Sequence, residues 1–151
     1  MTITAASPHV MNTYGRLPIA MARGEGCYLW DVNGKRYLDF LCGIAVTSLG
    51  HSHPVVAAAI AHQANTLLHV SNFFANPVAT QTAMMVDKLV SSALGGQSLG
   101  QVFFCNSGAE ANEAGIKLAR KFGGRGKHVV VSALGSFHGR TLAALAATGQ
   151  P

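Results

Sequence analysis

Val102-Phe103-Phe104-Cys105-Asn106-Ser107-Gly108-Ala109-Glu110-Ala111-Asn112-Glu113-Ala114-Gly115 reads as a buried strand, a tight polar turn and a helix start in immediate succession. Val102 to Cys105 are apolar and β-favouring, Asn106-Ser107-Gly108 supply the turn, and helix formers run on from Ala109. Glu110 and Glu113 sit early in that helix, where negative charge complements the dipole. The first backbone N–H groups of a helix have no partner within it, so this start can hold an anion, with the Ser107 hydroxyl as a further donor. Asn-Ser-Gly is also an ordinary helix cap, and on the tripeptide alone both readings stand.

Working outward, Ala111, Gly115, Leu118 and Phe122 fall on one stripe of a helix over 109–122 that Gly123-Gly124 terminates. Lys127-His128-Val129-Val130-Val131 then reads as a second strand, giving the strand–helix–strand order of a parallel α/β unit with a right-handed crossover. A loop from Ala133 to Arg140 follows, and Thr141 to Ala147 form a short helix. Both loops leave the carboxyl ends of strands, the edge where open α/β sheets bind ligands, which predicts that Ser107 and Phe137 come together.

Upstream, residues 1–23 have no sustained periodicity and are expected to form an extended arm outside the core. Cys27 to Phe40 predicts a hairpin about Asn33-Gly34. Pro54 opens a helix running toward Leu68, and Asn76-Pro77 opens another ending near Gly95-Gly96.

The run Asn106-Ser107-Gly108-Ala109-Glu110-Ala111-Asn112-Glu113-Ala114, with Ile116-Lys117-Leu118-Ala119-Arg120 after it, closely resembles the phosphate-binding segment of the class III aminotransferases that use pyridoxal 5′-phosphate. Gly43-Ile44-Ala45-Val46 and Leu49-Gly50-His51-Ser52-His53-Pro54 resemble that family's segment near the substrate pocket, and His69-Val70-Ser71-Asn72 its following loop. Phe137-His138-Gly139-Arg140-Thr141 is similar to the motif whose aromatic residue lies against the cofactor ring. The likeness runs in order from about Gly24 to Pro151.

The resemblance implies the N-terminal part of an aspartate-aminotransferase-like α/β fold, an incomplete parallel-rich sheet with flanking helices. It divides the chain into the arm of residues 1–23, a hairpin and helix segment of a small domain with its connecting loop over 24–75, and the first part of a large cofactor domain over 76–151. It implies that Ser107, Gly108 and Ala109 hold the cofactor phosphate, and that Phe137 and His138 belong to the cofactor site, with the Phe137 ring stacked on the pyridine. Arg140 would grip a substrate carboxylate with its planar guanidinium, Gly43 and Ile44 would line the substrate pocket, and Ser71 and Asn72 would reach a neighbouring subunit's site.

The implied reaction is transfer of an amino group from an amino-acid donor to 2-oxoglutarate in a homodimer. N-acetylornithine is the donor favoured by likeness, with succinylornithine, ornithine and 4-aminobutyrate as alternatives. A chain of 151 residues suits one ordinary domain, whereas the family's subunits are roughly two to three times that size, so the sequence reads as a fragment. The family's Schiff-base lysine, and the aspartate that pairs with the pyridine nitrogen, follow the Phe-His-Gly-Arg motif at a distance, beyond Pro151. None of Lys35, Lys88, Lys117, Lys121 and Lys127 sits in an apolar sequence context that would lower its pKa, so no catalytic residue is assigned and the isolated chain is expected to be inactive. A noncatalytic phosphate-binding or interaction module is the alternative.

Other classes fit poorly. The longest apolar runs are about seven residues, far short of the roughly twenty that span a bilayer, and Met1-Thr2-Ile3-Thr4 lacks a secretory leader, so a cytoplasmic address is expected. Cys27, Cys42 and Cys105 fit neither a disulfide framework nor a metal site, and His51-x-His53 has no companion ligands. The formal charge of +5 is scattered, its one cluster beginning at a helix C-terminus where cations suit the dipole, which argues against nucleic acid.

Overall fold

The computed structural model describes residues 9–96 and 100–150, which fall into two compact units divided between Phe74 and Ala75. Residues 1–8 of the expected arm, and Pro151, lie outside the described residues.

The first unit holds a three-stranded antiparallel sheet, β1 (Met21–Glu25), β2 (Tyr28–Asp31) and β3 (Arg36–Leu38), in that spatial order. The expected hairpin is β2–β3, with Tyr28 opposite Leu38 and Trp30 opposite Arg36. Its turn is organised by Asp31, whose carboxylate accepts the amides of Asn33 and Lys35 at 2.9 Å each and the Tyr37 hydroxyl at 2.9 Å. Burial opposes ionisation of Asp31, but those hydrogen bonds from Lys35, Tyr37 and Asn33 outweigh it and hold the carboxyl below its ordinary value. β1 corrects the arm: Met21 to Arg23 are not a loose extension but pair with β2, where Arg23 lies 3.6 Å over the Trp30 ring. An alternating hydrophobic pattern is missing from Met-Ala-Arg-Gly-Glu, which is why the strand was not legible there.

After the sheet comes a single turn, α1 (Cys42–Ala45), in which Cys42, Gly43, Ile44 and Ala45 all have φ between +50° and +64°. Three of the four carry a side chain that disfavours this left-handed region, so the turn is strained. α2 (Pro54–Thr66) begins at Pro54 as expected and stops when Leu67 turns extended.

In the second unit, α3 (Pro77–Ala93) is capped by Asn76, whose Oδ1 accepts the amides of Val78 at 2.9 Å and Ala79 at 3.3 Å. Asp87 on α3 accepts the Gly100 amide at 2.7 Å, bringing the following segment back to the helix. α4 (Gly108–Gly123) follows, and then α5 (Leu142–Ala147). Ala144 and Ala147, both on α5, are the buried hydrophobic residues among those described.

One expectation needs correcting. The segments 102–105 and 127–131 form no strand ladder among the described residues, so the sheet present is the antiparallel one and no parallel pair is seen. β propensity belongs to the segment itself, whereas a ladder requires a second strand alongside, and neither segment finds one within the described residues. No helix among the described residues is long and apolar enough to cross a membrane.

Candidate functional site

α4 starts as a capped helix. Ser107 is extended (φ −156°, ψ 159°), and its Oγ accepts the Glu110 amide at 3.2 Å. Glu110 reaches back past the cap, its carboxylate accepting the Asn106 amide at 2.8 Å and Asn106 Nδ2 at 3.1 Å. The hydroxyl therefore works as a cap by accepting and keeps its own proton for donation. The amides of Gly108 and Ala109 are the first two of the helix and have no carbonyl a turn behind them. Gly108 is exposed, and a Cβ beside it would meet nothing within 4 Å, so the helix start is uncovered at Gly108. The cap and the anion cradle, alternatives on the tripeptide alone, are thus compatible in one turn.

The Phe137–Thr141 loop packs directly on this helix start. Gly139 is buried with φ +133°, and a Cβ there would lie 2.6 Å from Ala109 Cβ and 3.0 Å from Ala144 Cβ. Only the missing side chain and the unusual backbone angle allow so close an approach. One turn farther along α4, Asn112 Nδ2 donates to the His138 carbonyl at 2.6 Å. Next to it Glu113 Oε1 accepts three hydrogen bonds, from Thr141 Oγ1 at 2.6 Å, the Ala143 amide at 2.8 Å and the Ala144 amide at 3.2 Å. The Thr141 hydroxyl and the Ala144 and Ala143 amides lower the Glu113 pKa against a smaller opposing effect of burial. From the far side of the loop, Thr148 Oγ1 accepts the His138 amide at 3.0 Å, and the Gly149 amide donates to the Ser136 carbonyl at 3.0 Å.

Within this frame Phe137 is 57% exposed, and the Arg140 guanidinium lies 5.9 Å from its ring centroid. His138 is held mainly by its backbone; its Nδ1 is 3.4 Å from Ser136 Oγ. Ser107, Gly108, Ala109, Phe137, His138 and Arg140 are therefore gathered in the second unit about one contact, Ala109 against Gly139. Strand ends do not bring them together here; hydrogen bonds from α4 to the loop do.

Gly43 and Ile44 belong to the first unit, in the left-handed turn α1. There Asp39 Oδ1 accepts the amides of Leu41 and Cys42 at 2.9 Å each, and Asp39 Oδ2 lies 2.6 Å from His51 Nε2. The His51 contact, then the Cys42 and Leu41 amides, hold the Asp39 carboxyl below its ordinary range. His51 also packs on Gly24, where a Cβ would come within 2.6 Å of the imidazole Cγ. Its ring is thus committed to structure, and the Gly-His-x-His-Pro segment is a turn braced against the sheet.

Sequence reading missed Asn112, Glu113, Thr141 and Thr148 as organisers of the site. Glu113 drew notice only as a charge favourable to its own helix, and its partners lie 28 to 31 residues away, where no local pattern reveals them.

Comparison with known proteins places the chain in a family. The family model described as "Aminotransferase class-III" matches residues 10–151. An acetylornithine aminotransferase of Gloeobacter violaceus is 52% identical over 156 aligned residues, covering 100% of this chain and 37% of that protein. One from Nitrosomonas europaea is 51% identical, covering 93% of this chain and 35% of the relative. Among solved structures, the N-acetylornithine aminotransferase of Stenotrophomonas maltophilia superposes with a TM-score of 0.74 at 38% identity, covering 85% of this chain and 35% of that one. The taurine:2-oxoglutarate aminotransferase of Bifidobacterium kashiwanohense, solved with PLP and glutamate, gives a TM-score of 0.81 at 31% identity, covering 93% and 31%. The chain thus spans just over a third of the length of the curated relatives it matches. With the family model covering all but the first nine residues, the chain belongs to the class-III aminotransferases.

Proposed function

We propose that this chain carries the phosphate anchor and ring platform of a pyridoxal 5′-phosphate-dependent aminotransferase that takes the amino group of N-acetylornithine to 2-oxoglutarate. The observation that carries the site is the packing of Gly139 on Ala109, which sets an open helix start beside an exposed aromatic ring and a guanidinium. The acetylornithine donor rests on the identity of about one residue in two with relatives of that name across the whole chain. Acceptor, homodimer and a cytoplasmic setting are expectations of the same family reading. So is the assignment of residues 24–75 to a small-domain segment with its connecting loop and of 76–151 to the start of the large cofactor domain.

The residues act as follows. The amides of Gly108 and Ala109, with the Ser107 O–H, donate to phosphate oxygens, and the positive end of α4 favours the anion. Phe137 offers a flat apolar face to the pyridine ring, and Arg140 pairs with a substrate carboxylate through parallel N–H donors. When bound, the cofactor supplies the electron sink of the reaction. All five lysines are exposed, so none has the desolvated setting that a Schiff-base lysine uses. Turnover therefore depends on a lysine from outside these residues.

Titration of the purified chain with pyridoxal phosphate, pyridoxal and inorganic phosphate tests this reading. Saturable binding of pyridoxal phosphate, competed by inorganic phosphate and about tenfold tighter than that of pyridoxal, is the expected result. Equal affinity for the two aldehydes, or transaminase turnover by the 151-residue chain alone, would overturn it.

A further inference from the structure

α4 does two things at once. Its first turn presents the open amides of Gly108 and Ala109, and its second turn presents Asn112 and Glu113, the side chains that hold the neighbouring loop. Asn112 fixes the loop at the His138 carbonyl, and Glu113 fixes it at Thr141 and at the first amides of α5. Phe137 and Arg140, which face the ring and the substrate in the proposed reading, flank or lie between those two anchor points.

We propose that Asn112 and Glu113 are positioning residues that fix the separation between the phosphate cradle and the Phe137–Arg140 loop, so that one ligand can engage both. This rests on the cofactor reading above. Neither side chain needs to touch the ligand. Each acts through the loop, and Glu113 is suited to it because a single carboxylate oxygen gathers three donors, two of them backbone amides that would otherwise be unpaired at the start of α5. Phosphate alone needs only the cradle, whereas a phosphorylated aromatic needs the cradle and the loop in register.

The two kinds of ligand therefore separate positioning from general stability. In the full 151-residue chain, Glu113→Ala should weaken pyridoxal phosphate about tenfold while leaving inorganic phosphate within about twofold. Glu113→Gln keeps an oxygen acceptor at the same reach and should recover most of the lost affinity, and Asn112→Ala should behave as a milder Glu113→Ala. Amide hydrogen exchange supplies a ligand-free readout: in Glu113→Ala, faster exchange should be confined to residues 137–147 and spare α3. An equal fall in affinity for both ligands, or unchanged affinity with unchanged exchange at Ala143 and Ala144, overturns the proposal. If the unsubstituted chain binds inorganic phosphate but gains nothing from the pyridoxal ring, the cofactor reading fails, and this inference with it. If it gains from the ring and Glu113→Ala gains equally, the positioning role alone fails.

Discussion

At the scale of single residues, the second unit turns on the absence of an atom. A Cβ at Gly139 would stand 2.6 Å from Ala109 Cβ and 2.9 Å from its Cα, and the backbone there has φ +133°. Gly139→Ala must therefore push the loop off the helix start or strain both. Overpacking of this kind costs about 1–3 kcal/mol, and the backbone angle adds a further cost of similar order. The expected outcome is a lower melting temperature together with loss of the preference for pyridoxal phosphate over inorganic phosphate. A Gly139→Ala chain with unaltered melting and unaltered preference would show that the close contact is not maintained in solution. Ala109 is the other partner of the same contact, its Cβ and Cα being the atoms a Gly139 side chain would meet first.

At the scale of elements, what the sequence disclosed follows from the range over which each signal acts. The starts of α2, α3 and α4 were legible because a proline or a capping side chain lies within three residues of the amides it serves, as with Asn76 and Ser107. β2–β3 was legible for the same reason, since Asp31 and the Asn33-Gly34 turn are local. The segments 102–105 and 127–131 have strand composition but no partner among the described residues, and composition cannot report a partner. α1 was invisible because Cys42, Ile44 and Ala45 rarely adopt the positive φ they have here. For the site, Ser107 to Ala109 and Phe137 to Arg140 were readable as motifs, but the hydrogen bonds from Asn112 and Glu113 that join them were not.

The α4–α5 junction carries its own pH dependence. Thr141 has no side-chain bond to α5 and instead donates to Glu113, whose carboxylate also takes the Ala143 and Ala144 amides, so α5 is capped by a residue of another helix. The folded-state pKa of Glu113 is lowered from 4.5, so the ionised form is the one the fold favours. Its contribution is complete above the unfolded value and is lost as the pH falls through the lowered folded value. Acidification below about pH 4.5 should therefore release α5 from α4 before α3 loosens, because the α3 cap is the neutral amide of Asn76. Hydrogen exchange at Ala143 and Ala144 against pH checks this, with Glu113→Gln expected to flatten the profile. Identical profiles in the two chains would contradict it.

At the scale of the whole molecule, the apolar inventory is large and the buried core is small. Among the described residues the buried hydrophobic side chains are only Ala144 and Ala147, whereas Phe103 is 72% exposed, Leu118 69%, Phe122 92%, Val131 91% and Leu134 97%. Phe103 and Leu118 line one groove of about 560 Å³ with Ala111, Ala114 and Gly115, and Lys117 and Lys121 rim it. The stripe expected to pack α4 on a sheet is thus present on the helix, and no described strand or helix of the second unit is laid across it. Exposed apolar area of this kind favours association, since each Å² removed from water contributes about 25 cal/mol. The isolated chain should therefore elute as oligomers or aggregates in light-scattering chromatography, increasingly so with concentration. Placing a charge on the stripe through Phe103→Glu with Leu118→Glu should shift the population toward smaller species. The cradle should survive this change, because Ser107, Gly108 and Ala109 make none of the groove's lining. A monodisperse monomer that melts cooperatively without either substitution would mean that the apolar stripe finds cover within the chain itself.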